Sequence, residues 1–120
     1  MLIAGLGLGM ILWPILNKKE VESVVVIEQS CDVINLVSPT LPKTKKLSIE
    51  QDDIFTWKSK NGTKFNVIYF DIWHDICVDN LDEMAKLHRR FGRYLDAKDP
   101  KNWMGSWKRE WLRYQKSIYR

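Results

Sequence analysis

LIAGLGLG, at residues 2–9, is the stretch that most strongly indicates the fold. Three apolar residues are followed by glycines that alternate with leucine, which is typical of a buried strand running into a tight turn. Because glycine has no side chain, the backbone at Gly5, Gly7 and Gly9 can turn sharply and lie against a ligand. The stretch therefore predicts a first strand and a glycine-rich loop suited to ligand binding.

The rest of the chain alternates between strand and helix patterns. Pro14 predicts that the first helix starts late or kinks, and Ser30 and either Asp79 or Asn80 are predicted helix N-caps. Short loops between alternating elements predict an α/β fold: a Rossmann-like, doubly wound, mostly parallel sheet of about five strands with helices on both faces. The 120 residues are predicted to form a single domain. Further strands are predicted at residues 23–28, 47–51, 65–70 and 103–107, and helices at residues 10–19 and 30–37, from about residue 80, and at residues 108–120.

Acidic residues follow three of the predicted strands, and ligands of such sheets bind at the carboxyl ends of the strands. Glu28 follows the second strand, and its carboxylate can accept both hydroxyls of a ribose. After the third strand, Asp53 or its neighbour Asp52 can accept from an exocyclic amine while the Ile54 N–H meets a ring nitrogen. Asp71 follows the fourth strand. None of these features is specific alone. Together, at the ends of successive strands, they predict a site for an adenosine-type ligand.

The spacing of the glycines distinguishes two nucleotide-binding patterns. A dinucleotide fingerprint reads G-x-G-x-x-G/A, and its third small position is occupied here by Met10. The observed G-x-G-x-G spacing, together with Glu28 and Asp53, instead resembles class I S-adenosylmethionine-dependent methyltransferases over about residues 1–110. Within that superfamily the sequence looks most similar to the spermidine-synthase-like branch.

The resemblance implies a cofactor, S-adenosylmethionine or its decarboxylated form, and a transfer of a methyl or an aminopropyl group to an unknown acceptor. It implies that the glycines pass under the methionine part of the cofactor. Asp71 would orient or deprotonate the acceptor, and His74 is the reserve catalytic base. The implied cofactor-binding residues are Gly5, Gly7, Gly9, Glu28, Asp53 and Ile54.

The sequence also departs from the family. Ile3 stands where many methyltransferases have an acid, and residues 72–75 lack the polyamine-site pattern of spermidine synthases. The chain starts at the first strand and ends after the fifth, so we expect a domain truncated at both ends. A non-catalytic cofactor-binding protein or partner-dependent subunit is therefore an alternative. The large rings of residues 103–107 would then lie on an open sheet edge that pairs with a second copy or another chain.

Charge is unevenly distributed along the chain. Residues 1–85 contain 8 Lys or Arg and 12 Asp or Glu, whereas residues 86–120 contain 11 and 3. A basic, aromatic-rich final third can bind the backbone of a nucleic acid and stack its bases, which is a further alternative function. The residues of this pattern are Arg89, Arg90, Arg93, Lys108, Arg109, Arg113, Lys116 and Arg120, interleaved with Trp111, Tyr114 and Tyr119.

Several classes of protein are not predicted. Cys31 and Cys77 are far apart in sequence and form no CxxC motif, so we predict no disulfide framework and a cytoplasmic location. Residues 71–77 contain His, Cys and Asp, but their spacing matches no metal-ligand pattern, and no metal is predicted. The uncharged residues 1–16 are shorter than the roughly 20 residues of a spanning helix, so no membrane segment is predicted.

Overall fold

The structure is a computed structural model that describes residues 1–118. The chain divides into two compact units, Met1–Lys58 and Ser59–Arg120. In the first unit the elements are β1 (Leu2–Ala4), α1 (Leu12–Leu16), β2 (Val24–Glu28), α2 (Cys31–Val37), a 3-10 turn (Ser38–Thr40) and β3 (Leu47–Gln51). In the second unit they are a 3-10 turn (Lys60–Gly62), β4 (Val67–Phe70), α3 (Asn80–Phe91), a 3-10 turn (Gly92–Tyr94), β5 (Trp103–Ser106) and α4 (Arg109–Ile118).

The predicted α/β fold is confirmed. The five strands belong to one sheet with the order β3-β2-β1-β4-β5. The pairing of β2 with β1, of β2 with β3 and of β4 with β5 is parallel. The register aligns Ala4 with Ile27, and Glu28 with Gln51, so these strands end at the same edge. The alternation of strands and helices in the sequence is the physical reason for this arrangement, since parallel neighbours need crossover connections.

The core of the first unit lies between its sheet and its helices. Ile3 of β1 and Val24 and Val26 of β2 are each at most 1% exposed. They belong to a hydrophobic cluster with residues from α1, α2 and the segment that follows α2: Leu12, Leu16, Val37 and Leu41. The five-residue α1 is too short to be stable alone, so this packing is what holds it.

The core of the second unit is largely aromatic. The rings of Phe70 and Phe91 meet edge to face with centroids 5.2 Å apart, and Tyr94 meets Phe91 in the same way at 5.5 Å. Met84 and Leu87 of α3 are fully buried with them. Met84, Leu87 and Phe91 recur at helical spacing and form one apolar face of α3.

The helix starts were predicted in part. The first helix starts late, at Leu12, which places Pro14 in its first turn, where a missing N–H is tolerated. Ser30 caps α2 as predicted, because its Oγ accepts from the Val33 N–H at 3.2 Å. The fourth strand begins at Val67, two residues later than expected, and Phe65 forms only an isolated bridge with Leu95.

The predicted side-chain cap of α3 is wrong. Asp79 has helical backbone angles and makes no side-chain capping bond. Asn80 is buried, and its Nδ2 donates to the Asp75 carbonyl at 3.0 Å. The helix is instead preceded by a turn in which the Asn80 and Leu81 N–H groups donate to the carbonyls of Cys77 and Val78. The predicted terminal helix is described only as far as Ile118, so Tyr119 and Arg120 lie outside the described residues.

Candidate functional site

The glycine-rich loop follows directly from β1 in the first unit. The Gly5 N–H donates to the Ile27 carbonyl at 2.8 Å, which extends the pairing of β1 and β2 by one residue. The chain then turns back, and the Gly9 N–H donates to the Leu6 carbonyl at 2.9 Å. Gly5, Gly7 and Gly9 have φ of 98°, 53° and 73°. These positive values explain why glycine occupies the positions, since other residues rarely adopt them.

The surroundings of Gly7 and Gly9 are different. A Cβ atom at Gly9 would lie 2.5 Å from Leu41 Cδ2 and 3.0 Å from Val37 Cγ1, so Gly9 permits close packing inside the first unit. A Cβ atom at Gly7 would meet nothing within 4 Å. Unlike Gly9, Gly7 therefore leaves open space beside the backbone.

Glu28, at the end of β2, holds the loop in place. Its Oε1 accepts from the Leu6 N–H at 2.8 Å, and its Oε2 accepts from the Ser30 N–H at 2.9 Å. One carboxylate thus joins the glycine-rich loop to the start of α2. A carboxylate has about four acceptor positions, so each oxygen retains capacity for a hydroxyl donor. The residue predicted to bind a ribose is half-buried and positioned beside the loop.

Asp53 organises the turn that follows β3. Its Oδ1 accepts from the Phe55 N–H at 2.9 Å, and its carbonyl accepts from the Trp57 N–H at 2.8 Å. Asp52 lies beside it, exposed, and donates its backbone N–H to the Glu28 carbonyl at 3.1 Å. The side chain of Ile54 is buried at 5% exposure. Asp53 therefore has a structural role in the turn, and its half-buried carboxylate also lies at the sheet edge.

The six predicted cofactor-binding residues all lie in the first unit. They occupy the carboxyl ends of β1, β2 and β3, which are neighbouring strands. The loop is joined to Glu28 by the Leu6 hydrogen bond, and the β3 end is joined to Glu28 by the Asp52 hydrogen bond. The structure thus brings together the glycine-rich loop and two carboxylates. This arrangement can accept hydrogen bonds from hydroxyl and amine donors of a ligand.

The two predicted catalytic residues, Asp71 and His74, lie in the second unit, after β4. Asp71 is half-buried, and burial raises the pKa of its carboxyl above the ordinary value. Burial also raises the pKa of the Tyr69 hydroxyl, and the charge of Asp71 adds to that effect. His74 is exposed. A carboxyl with a raised pKa is a stronger base once ionised, which suits the role predicted for Asp71.

Within residues 1–118, no group of three or more His, Cys, Asp or Glu side chains is arranged to hold a metal ion. No helix in this part of the chain has the length and apolar character that crossing a membrane requires.

The pair formed by His88 and Ser106 was not predicted. His88 lies partly buried on α3. Its Nε2 lies 2.7 Å from Ser106 Oγ at the end of β5. Burial, followed by the charges of Arg109 and Arg113, lowers the pKa of His88 to about 4. No local signal reveals this pair, because the two residues are 18 positions apart and meet only in the folded unit.

Three solved structures with a similar fold are named as methyltransferases. The CcbJ methyltransferase from Streptomyces caelestis matches with a TM-score of 0.62 at 18% identity, over 88% of this chain and 41% of that chain. An S-adenosylmethionine-dependent methyltransferase from Mesorhizobium loti matches with a TM-score of 0.56 at 17% identity, over 78% and 40% of the two chains. The plantazolicin methyltransferase BpumL, solved with a pentazolic desmethylPZN analog and SAH, matches with a TM-score of 0.56 at 19% identity, over 79% and 34%.

These likenesses show that the chain has a Rossmann-like methyltransferase fold. The chain spans between 34% and 41% of the length of these three proteins. No family model and no curated protein matches the sequence. The similarity to the spermidine-synthase-like branch is not confirmed and stays a prediction.

Proposed function

We propose that the first unit binds S-adenosylmethionine and that the chain is a methyltransferase-like transferase. The observation that carries this proposal is the Glu28 carboxylate, which joins the glycine-rich loop to α2 and keeps acceptor capacity on both oxygens. The fold supports it, because the three similar structures are named as methyltransferases. Those names also favour methyl transfer over aminopropyl transfer.

In this proposal each residue has a definite task. Glu28 accepts the two ribose hydroxyls, and the open space beside Gly7 admits the methionine part. Asp53 accepts from the adenine amine with the acceptor positions that the Phe55 N–H does not use. The fit is consistent with a nucleoside that offers hydroxyl and amine donors to two carboxylates.

The bound cofactor would supply an electrophilic methyl group to an acceptor nucleophile. The protein itself would position the acceptor and take its proton. Asp71 is the residue proposed for both tasks, with His74 as the alternative base. Burial raises the pKa of Asp71 and so increases its affinity for that proton. Orientation and electrostatics are the main means by which such a site accelerates transfer.

The first test is calorimetric titration with S-adenosylmethionine and with S-adenosylhomocysteine, and with NAD as the comparison ligand. Glu28→Ala alone is ambiguous, because it also removes the hydrogen bonds that hold Leu6 and Ser30. Gly7→Ala is the sharper variant, because its Cβ meets no protein atom and enters only the proposed ligand space. We expect it to weaken cofactor binding by about tenfold or more.

Gly62→Ala is a matched control for this test. Gly62 has φ of 66°, and a Cβ there also meets nothing within 4 Å. Both changes place alanine at a positive φ and should each destabilise the fold by about 1 kcal/mol. The proposal predicts that only Gly7→Ala weakens binding. Equal affinity of the two variants, or no binding of either adenosyl ligand by the folded chain, would contradict the proposed site.

A further inference from the structure

Helices α3 and α4 of the second unit pack against each other and leave a cleft of about 410 Å³. Three cationic side chains of α4 line it: Arg109, Arg113 and Lys116. Their i, i+4, i+7 spacing places them on one face of the helix. Asp82 of α3 is the acidic residue among those lining the cleft. The cations therefore outnumber the carboxylate by three to one.

The cations of the cleft are crowded and incompletely compensated. Burial lowers the pKa of Arg109, and the charge of Arg113 lowers it further, while Glu110 opposes this effect. Glu110 lies 3.7 Å from Arg113 in an exposed i, i+3 pair, and such pairs contribute little at the surface. An anion bound in the cleft would relieve the repulsion between the two guanidinium groups.

Besides burial, the charges of Arg109 and Arg113 lower the pKa of His88 on α3. The groups placed around its ring are Ser106, which lies within hydrogen-bond distance, and Phe70, whose ring centroid is 5.6 Å away. Arg109 and Arg113 both disfavour the protonated form of His88. The pKa of His88 should therefore rise when the cations of the cleft are neutralised.

The chemistry of the lining favours a phosphate group. Guanidinium groups form paired hydrogen bonds with phosphate oxygens, and an ammonium adds a point charge. The Ser117 hydroxyl, also in the cleft, already donates to the Tyr114 carbonyl at 2.7 Å. Arg109, Arg113 and Lys116 are thus the groups that would hold an anion there.

Further cations continue beyond the cleft along α3. Lys86 and Arg89 are exposed and follow Asp82 at i+4 and i+7, so they extend the same face of the helix. This row of cations extends further than a single phosphate group could contact, so it fits a ligand with repeated phosphates. We propose that the α3–α4 cleft binds the phosphate backbone of a nucleic-acid chain, which is an activity beyond the cofactor binding proposed above.

Base stacking by α4 is not part of this proposal. Trp111 and Tyr114 are 48% and 57% exposed, and their ring centroids lie 5.8 Å apart. However, Trp111 is two positions from both Arg109 and Arg113, and residues two apart on a helix do not share a face. Trp111 therefore faces away from the cleft, and neither ring is among the groups that line it. Binding should depend on phosphates rather than on base identity.

The experiment measures binding of the full chain to a labelled single-stranded RNA of about 20 nucleotides by fluorescence anisotropy over a range of salt concentrations. Each phosphate neutralised on a single strand contributes about 0.7 to the slope of log affinity against log salt. The triple variant R109Q/R113Q/K116Q should lower the slope by about 2. Asp82→Asn should strengthen binding several-fold at low salt, because it removes the opposing charge.

The matched control is K19Q/K43Q/K45Q, which removes the same charge from exposed lysines of the first unit. It should leave the slope nearly unchanged, and Trp111→Ser should leave affinity unchanged. Equal weakening by the two triple variants would overturn the proposal, because it would mean attraction to overall charge alone. Inorganic phosphate binding as tightly as the RNA would overturn the assignment to a polymer. Binding to anionic lipid vesicles without binding to RNA would overturn the assignment to a nucleic acid.

An NMR titration of the His88 ring gives a second measurement. Neutralising Arg109 and Arg113 with RNA should raise the pKa of His88 above its value of about 4 in the free chain. An unchanged pKa at saturating RNA would place the ligand elsewhere and contradict the proposal. This readout does not depend on cofactor binding, so the proposed function and the cleft can fail separately.

Discussion

His88 is kept uncharged by the second unit. Its ring is partly buried and lies near two arginines, so the folded chain resists its protonation until about pH 4, compared with 6.5 for an ordinary histidine. Between these two values the unfolded chain binds a proton that the folded chain does not. The free energy of unfolding therefore falls as pH decreases through this window.

We expect this residue to account for about 1–2 kcal/mol of the stability lost between pH 7 and about pH 4, after allowance for solvent screening of a partly exposed ring. The measurement is urea unfolding of the wild type and of His88→Gln at several pH values. Gln cannot titrate but can still bond to Ser106. The carboxylates are common to both proteins, so their contributions cancel in the difference. Parallel stability curves for the two proteins would show that His88 does not titrate as described.

The roles of some individual residues could be predicted from the sequence, and the roles of others could not. Glu28 was placed correctly at the end of β2, because a continuous β-branched run precedes it. Its two backbone hydrogen bonds were not predicted, since they depend on the path of the glycine-rich loop. The assignments of Asp53, Asp71 and His74 to binding or catalysis stay predictions.

Among the elements, α2 offers a direct test of a capping bond. The Ser30 Oγ satisfies the Val33 N–H, which has no partner within the helix. Ser30→Ala should lower the free energy of unfolding by about 1 kcal/mol, and Ser30→Asn, which can cap as well as serine, should restore most of it. Thermal unfolding measures both. If Ser30→Asn is as unstable as Ser30→Ala, the loss comes from something other than the cap.

Elements with a strong local pattern were predicted well. The strand β3, for example, has the expected bounds, residues 47–51. The start of α3 was mispredicted because the fold uses Asn80 differently: its amide is buried and bonded to the Asp75 carbonyl. A sequence pattern cannot distinguish a capping amide from one that supports a preceding loop. The cleft between α3 and α4 was missed for a similar reason, since only packing brings their faces together.

The strand β5 is an edge strand of the sheet, and it pairs with β4 on one side. Trp103 on this strand is 52% exposed, and its ring stacks on Tyr69 with centroids 6.0 Å apart. An edge strand that presents a large apolar ring is a site where another chain can pair. This exposed edge supports the proposal that the chain associates through residues 103–107.

We expect sedimentation experiments to show association that increases with protein concentration. Trp103→Lys should weaken it by about tenfold, because it adds a charge to the exposed edge. Trp13→Lys is the control, since Trp13 is 49% exposed in the first unit. A monomer at every concentration, or equal effects of the two variants, would refute pairing through β5.

The α/β class of the whole chain followed from the alternation of elements, but the strand order did not. Residues 2–4, 24–28 and 67–70 all have the apolar character of strands buried in a parallel sheet. Nothing in such short runs specifies which of them are neighbours, because side-chain packing across the sheet selects the order. The single-domain organisation and the cytoplasmic location stay predictions.

The two hydrogen bonds that Glu28 accepts make the exchange of two backbone amide protons depend on its carboxylate. The Leu6 and Ser30 amide protons are held by a side chain rather than by a strand or helix ladder. They should exchange with deuterium slowly while the carboxylate holds them and quickly once it is removed. A ligand that engages the same carboxylate must share it with these amides. The exchange rates of the two protons would therefore change on occupancy even if no group is transferred.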